Sequence, residues 1–212
     1  MNKRAGIRLH LMACALALPL ALGPRPAFAD GVEDLLWPRH IAALAEAEAE
    51  LTGLIALHMD TSADAKAMWD LFNAPPAPLP NRLSLEGRWR VRSLQIRQDA
   101  VNIYGFFPCE LRREGATGLV LDKTSGSQKR LGLILDDRIE DAFVFVGGSY
   151  TTGEPARNYS GFAVDDVKAP GSHLGIDMSA DSVGLVRSLG RDHLLIIFAS
   201  NDGRSEMYEL KR

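Results

Sequence analysis

Between Asp122 and Gly132 the chain reads D-K-T-S-G-S-Q-K-R-L-G, with two glycines, two serines, a threonine and three cations in eleven residues. Such a mixture could cradle a phosphate, because glycine lets backbone N–H groups approach an anion while a lysine adds charge. The spacing argues against it. A Walker loop needs G-x-x-x-x-G-K-[ST] between a strand and a helix; here Gly126 is followed by Ser127, Gln128 and Lys129, the next glycine is Gly132, and both flanks read as strands. Ser125-Gly126-Ser127 fits a hairpin turn, with Gly126 at positive φ and the serines bonding nearby backbone. The turn does not require the Gln128 amide, which leaves open whether that side chain points into a cavity or out to water. If Ser125, Ser127 and Gln128 converge with an arginine in a pocket, a hydrolase or transferase site is the alternative reading of the same segment.

Other chemistry is thinly represented. Gly147-Gly148-Ser149-Tyr150-Thr151 approaches a nucleophile elbow but lacks its closing glycine. His40, His58, His173 and His193 are scattered, without H-E-x-x-H or a histidine pair at helical spacing, so no metal site is read. Asp136-Asp137, Glu140-Asp141 and Asp165-Asp166 fall at turns or in a long loop and match no calcium-loop pattern. No cofactor motif is found, and no catalytic residue is assigned. Arg88, Arg90 and Arg92 share one face of a strand-like run, with Arg112 and Arg113 on the next; such a strip either meets water and acids or grips a carboxylate or phosphate. Arg90, Arg92, Ser127 and Gln128 are the residues that could hold a ligand.

The N-terminus bears on where this chemistry would operate. Lys3, Arg4 and Arg8 precede an apolar run from Leu9 to Leu22, and Ala27-Phe28-Ala29 is an A-x-A site. That pattern predicts a signal peptide over 1–29, cleaved after Ala29, and a periplasmic mature protein. Its loss changes the formal charge from 24 − 27 = −3 to 20 − 27 = −7 and leaves 212 − 29 = 183 residues. An acidic chain is a poor match for nucleic acid through net charge, and no later run is long enough for a membrane helix. Cys14 leaves with the leader, so Cys109 has no partner for an internal disulfide; within an apolar strand pattern, it reads as buried and inert, with an intermolecular partner as the alternative.

The elements that must position any site change character along the chain. Residues 30–74 read as an N-terminal helical region: Ile41, Leu44, Ala47, Leu51, Leu54 and Ile55 recur at helical spacing after Pro38, and a second helix starts after a Thr61 or Ser62 cap. Residues 75–84 carry P-P-A-P-L-P, a stiff connector. From 85 to 212 the fold is mainly β, within an α+β whole. Strands are expected near 87–97, 102–113, 117–124, 129–136, 141–148, 182–189, 192–199 and 204–211. Eight antiparallel strands suit a small closed barrel. A long segment from 148 to 181 is either a lid or an ornament. Gly87-Arg88-Trp89 resembles the G-x-W opening of lipocalins and their calycin relatives, which implies a tryptophan plugging the barrel bottom under a late basic residue, with Arg212, Lys211 or Arg204 available.

K-T-S-G-S-Q-K-R-L-G at 123–132 also resembles the K-L-T-G-S-Q-R-P-x-G segment of an uncharacterised family of exported proteobacterial proteins, domain of unknown function 4893. G-R-W-R-V-R-S at 87–93, F-P-C-E-L at 107–111 and D-S-V-G-L-V-R-S-L-G at 181–190 fall in the same order. Val91 stands where that family has a first cysteine; if the family joins its two cysteines, this chain has lost the bond and Cys109 is an orphan. The resemblance implies no activity. The expectation is therefore a non-enzymatic binding or interaction module for a small apolar or anionic ligand or an envelope partner, with a pocketless structural protein as a further alternative and the oligomeric state open.

Overall fold

The computed structural model describes residues 31–115, 118–139, 142–201 and 203–212. The leader expected over 1–29 lies outside the described residues, as do residues 116–117, the Glu140-Asp141 pair and residue 202.

Helix α1 (Val32–Leu35) precedes α2 (Pro38–His58) and α3 (Ala63–Phe72). Pro38 occupies the first turn of α2, where its missing N–H costs no hydrogen bond. Ser62 caps α3, its hydroxyl accepting from the Ala65 N–H at 3.2 Å. A 3₁₀ turn at Arg82–Leu85 leads into nine strands: β1 (Gly87–Ile96), β2 (Val101–Ile103), β3 (Phe107–Glu114), β4 (Gly118–Lys123), β5 (Gln128–Ile139), β6 (Ala142–Thr151), β7 (Asp181–Gly190), β8 (His193–Asn201) and β9 (Arg204–Lys211). All pairings are antiparallel. β1 and β3 to β9 follow one another around a barrel that closes where β9 pairs with β1, from Arg90 opposite Lys211 to Ile96 opposite Ser205.

The run expected over 102–113 is two strands. β2 pairs with the end of β1 through Leu94 opposite Ile103, the chain leaves the ladder at 104–106, and β3 rejoins it with Phe107 opposite Val91. The Tyr104 N–H still bonds the Ser93 carbonyl at 2.9 Å, and the strand gives way at Gly105, which weakens extended pairing. β6 runs on to Thr151, beyond the expected 148, because it pairs with β5 as far as Gln128.

One end of the barrel is plugged. Trp89 Nε1 donates to the Leu85 carbonyl at 2.8 Å, and the Arg212 guanidinium lies 4.7 Å from the Trp89 ring while donating to the Leu85 and Glu86 carbonyls at 2.8 Å each. Arg212 is thus the late basic residue that the G-x-W opening implied. The proline-rich connector runs back against the barrel, with the Ala77 N–H on the Ser188 carbonyl at 2.8 Å and Leu79 and Leu83 packed beneath the core. Above the plug the interior is filled by Val91, Leu111, Leu121, Phe143, Phe145, Ile196, Phe198 and Tyr208.

The outer wall is half covered. Ala47, Leu51 and Ile55 of α2 and Met68 of α3 pack on Leu94, Ile96, Leu195, Ile197 and Met207. Val32, Leu36 and Trp37, together with Tyr159 and Val167 of the long loop, cover Val144, Val146, Val183 and Leu185. This double coverage explains why Leu194 to Phe198 is an unbroken apolar run: side chains on both faces are buried.

Candidate functional site

Successive strand residues point alternately into and out of the barrel, and the inward face changes chemistry at one height. On β1, Trp89 and Val91 give way to Ser93 and Gln95; on β4, Leu119 and Leu121 to Lys123; on β9, Leu210 and Tyr208 to Glu206. On β5, Ile134 is followed toward the mouth by Gly132, Arg130 and Gln128. An apolar shaft therefore ends in a charged layer.

Arg130 is the centre of that layer. It is 5% exposed, and its Nη2 donates to Glu206 Oε2 at 2.9 Å. Its guanidinium carbon lies 3.7 Å from the Phe198 ring centroid and 4.6 Å from that of Tyr208. Nε and Nη1 have no hydrogen-bond partner among the described residues. Glu206 is better provided: its Oε1 accepts from Ser93 Oγ at 2.6 Å and from Gln95 Nε2 at 3.1 Å. Burial alone would push this carboxyl up, but Arg130 and the Ser93 and Gln95 hydrogen bonds outweigh it and hold the pKa below the usual carboxylate range. The Lys123 ammonium donates to the Ser125 carbonyl at 2.9 Å and to the Gln128 carbonyl, tying down the turn between β4 and β5. Burial, then the charge of Arg130, pull its pKa down.

The support for Arg130 reaches into the strands below. Gly132 and Gly147 face each other across β5 and β6, and a Cβ at Gly147 would stand 2.2 Å from the Leu131 carbonyl oxygen and 2.7 Å from the Phe145 ring. The bare backbone admits the Phe145 ring, which meets Phe198 edge-on at 5.6 Å; Phe198 in turn meets Tyr208 at 4.9 Å. Arg130 rests on that aromatic stack.

Above the layer a cavity of about 290 Å³ opens at the barrel mouth. Arg130, Glu206 and Tyr208 lie along its floor with Arg204 beside them, and Lys129 and Tyr150, from the outward faces of β5 and β6, border it at the rim. The long loop completes it: Glu154 and Arg157 enter from one end, Ser179 and Ala180 from the other. The loop is fastened to the N-terminus of α2. Tyr159 Oη accepts from the Trp37 N–H at 2.8 Å and lies 2.7 Å from His40 Nδ1, while Trp37 Nε1 donates to Ser160 Oγ at 2.8 Å. Ser160 Oγ donates to Asp181 Oδ2 at 2.6 Å. Serine, histidine and aspartate thus meet here, but the hydroxyl serves the carboxylate rather than the imidazole. Burial, helped by the Arg39 charge, lowers His40 to about 4, too weak a base to activate a serine near neutral pH.

The four residues singled out as ligand candidates divide between two places. Gln128 is on the rim of the cavity, where its Oε1 accepts from Gln95 Nε2 at 2.7 Å. Ser127 is exposed on the turn, and Ser125 Oγ donates to the Pro108 carbonyl. The serines and Gln128 therefore do not converge in one pocket. Gly126 takes φ 78°, as the turn required. Arg90 and Arg92 are on the outer wall, 5.6 and 5.1 Å from the Phe106 ring centroid, and Arg92 is bonded to Glu209. Cys109 is free, faces the barrel core and has its thiol pushed up by burial to about 12, which leaves it without nucleophilic character.

Arg130, Glu206, Ser93 and Gln95 were not singled out from the sequence. The signal was period two: Arg130 shares a strand face with Gln128 and Ile134, and Glu206 with Tyr208 and Leu210. A charge on the face that also carries core residues is the mark of a polar layer.

Among the described residues no group of three or more histidine, cysteine, aspartate or glutamate side chains could hold a metal, and no helix is long and apolar enough to cross a membrane. A family model described as a domain of unknown function, DUF4893, matches residues 40–209. No curated protein and no solved structure matches the chain.

Proposed function

The chain belongs to the family described as domain of unknown function DUF4893, and on that footing we propose that it is a non-enzymatic binding module that holds a small polar anion in the mouth of its barrel. The observation that supports this reading is Arg130. A guanidinium withdrawn from water, bonded to the Glu206 carboxylate and with two nitrogens that have no acceptor among the described residues, is energetically incomplete. The cavity reaches the edge of this guanidinium, and a small shift of the side chain that uncovers one of those nitrogens would let an anionic oxygen complete it with a charge-assisted hydrogen bond. The adjoining cavity offers further donors on Lys129, Arg157 and Arg204. An apolar ligand fits less well, since the interior below Arg130 is filled by the aromatic stack. Export to the periplasm belongs to the same proposal and rests on the leader pattern of residues 1–29.

Isothermal titration of the mature chain with inorganic phosphate, succinate and acetate tests the binding reading. Saturable heat from one of them is expected, with loss of it in Arg130→Met/Glu206→Gln, a pair that removes both charges together. Absence of saturable binding by all three, to a chain shown to be folded, overturns the reading.

A further inference from the structure

Resting on that reading of the mouth, we infer that the site takes a dianion, a phosphate monoester or a paired dicarboxylate, in preference to a singly charged acid. The inference comes from the charge on the cavity wall. Four cations, Lys129, Arg130, Arg157 and Arg204, and two carboxylates, Glu154 and Glu206, line the cavity or its rim, so the lining carries 4 − 2 = +2. Both carboxylates are engaged by protein donors. Glu206 takes Ser93, Gln95 and Arg130; Glu154 accepts from the Thr151 hydroxyl at 2.9 Å and from its backbone N–H at 2.6 Å. Arg157 also meets Asp177 at 3.1 Å, but that pair is exposed and weakly held. Lys123 stands beside the layer with its ammonium on two backbone carbonyls, which bring no negative charge.

A monoanion would leave part of this wall uncompensated. A dianion matches it, and its oxygens are numerous enough for donors that come from different strands: Arg130 and Lys129 from β5, Arg204 from β9 and the Tyr150 hydroxyl from β6. Guanidinium groups suit such oxyanions because their planar forks meet two oxygens at once. The volume, about 290 Å³, lies at the small end of ligand pockets, so the rest of the molecule is short. It is also polar, because Ser149, Thr151 and Ser179 supply hydroxyls along the wall.

The test is a comparison of inorganic phosphate, succinate and acetate at pH 8, where phosphate is mostly the dianion, and at matched ionic strength, on the mature chain and on Arg204→Gln. Arg204 is half-buried at the rim, so its loss leaves the barrel core intact, and thermal unfolding verifies this. At least one dianion should bind about tenfold or more tightly than acetate, and Arg204→Gln should weaken that dianion about tenfold. Phosphate alone binding assigns a phosphate group; succinate alone assigns a dicarboxylate; either supports the inference. Acetate binding as tightly as both dianions overturns the dianion class while leaving an anion site in place. No binding by any of the three overturns the site itself. Unchanged dianion affinity in Arg204→Gln also refutes the inference, because the charge balance would then not set the preference.

Discussion

Replacing Arg130 by methionine isolates the energetics of the charged layer. Methionine keeps an unbranched apolar stem against Phe198 and Tyr208 but removes the guanidinium, leaving the Glu206 carboxylate, 4% exposed, with only Ser93 and Gln95 as donors. Breaking a buried ion pair from one side costs about 3–5 kcal/mol. In a domain of this size each kcal/mol shifts Tm by about 2–4 °C, so the variant should melt about 6–20 °C lower. Adding Glu206→Gln removes the stranded charge while preserving acceptors for Ser93 and Gln95, and should restore most of the loss. The pH dependence gives an independent sign. In the parent the Glu206 pKa is lowered, so its contribution is complete above the unfolded value of about 4.3 and fades as pH falls through the folded one. In Arg130→Met burial acts without its cation and raises the pKa, so the penalty should grow as pH rises past about 4.3 and shrink below it. Urea unfolding at pH 3.5 and pH 7 measures both effects. A single variant destabilised by less than about 1 kcal/mol, or a double variant no better than the single, would refute the account of Arg130 and Glu206 as a buried pair.

Three further outcomes follow from the same geometry. Arg212→Ala removes the cation over Trp89 and two donors to the Leu85 and Glu86 carbonyls, and should cost about 1–3 kcal/mol by urea unfolding, with Arg212→Lys recovering part of it. Cys109, buried with its thiol raised to about 12, should resist a thiol-specific chromogenic reagent at pH 8 in the folded chain and react promptly in urea; rapid native reaction would contradict its placement in the core. Tyr159→Phe strips the acceptor from the buried Trp37 N–H, and should cost about 1–3 kcal/mol and speed proteolytic cutting between residues 152 and 180, which mass spectrometry of the fragments locates.

How far the sequence reached depended on whether a feature was periodic or spatial. The apolar repeat of α2, the Ser62 cap, the strand series and the Gly126 turn all rest on local rules, and each is in the structure. Helix α1 escaped because four residues carry no period. The break at 104–106 was missed because Phe106 and Phe107 prolong the apolar run, although Gly105 interrupts it. The arginine strip was recognisable as one face of a strand, but the sequence did not say which side of the barrel that face takes; the structure turns it outward, with Arg92 held by Glu209, a residue far along the chain. For Arg130 the face could have been deduced, whereas its surroundings could not: its partners Glu206 and Phe198, and the Ser93 that bonds Glu206, come from three other strands.

That division also explains why the mouth, rather than the arginine strip, supports the functional proposal. On the outer wall Arg90, Arg92 and Lys211 gather around Phe106, yet Glu209 already receives Arg92, Lys211 and His193 and offsets part of their charge. In the mouth Glu206 satisfies a single nitrogen of Arg130, and the barrel holds that guanidinium out of water on an aromatic stack that two facing glycines make possible. Filling the position with a methionine-sized apolar side chain, together with a neutral residue at 206, would close the shaft at little cost in stability, since buried ion pairs are often replaced without loss. On the proposed reading, a buried arginine whose Nε and Nη1 have no partner among the described residues is explained by what it would receive from the cavity rather than by what it contributes to the fold. Binding and stability should accordingly separate in Arg130→Met/Glu206→Gln, which retains most of the second and none of the first.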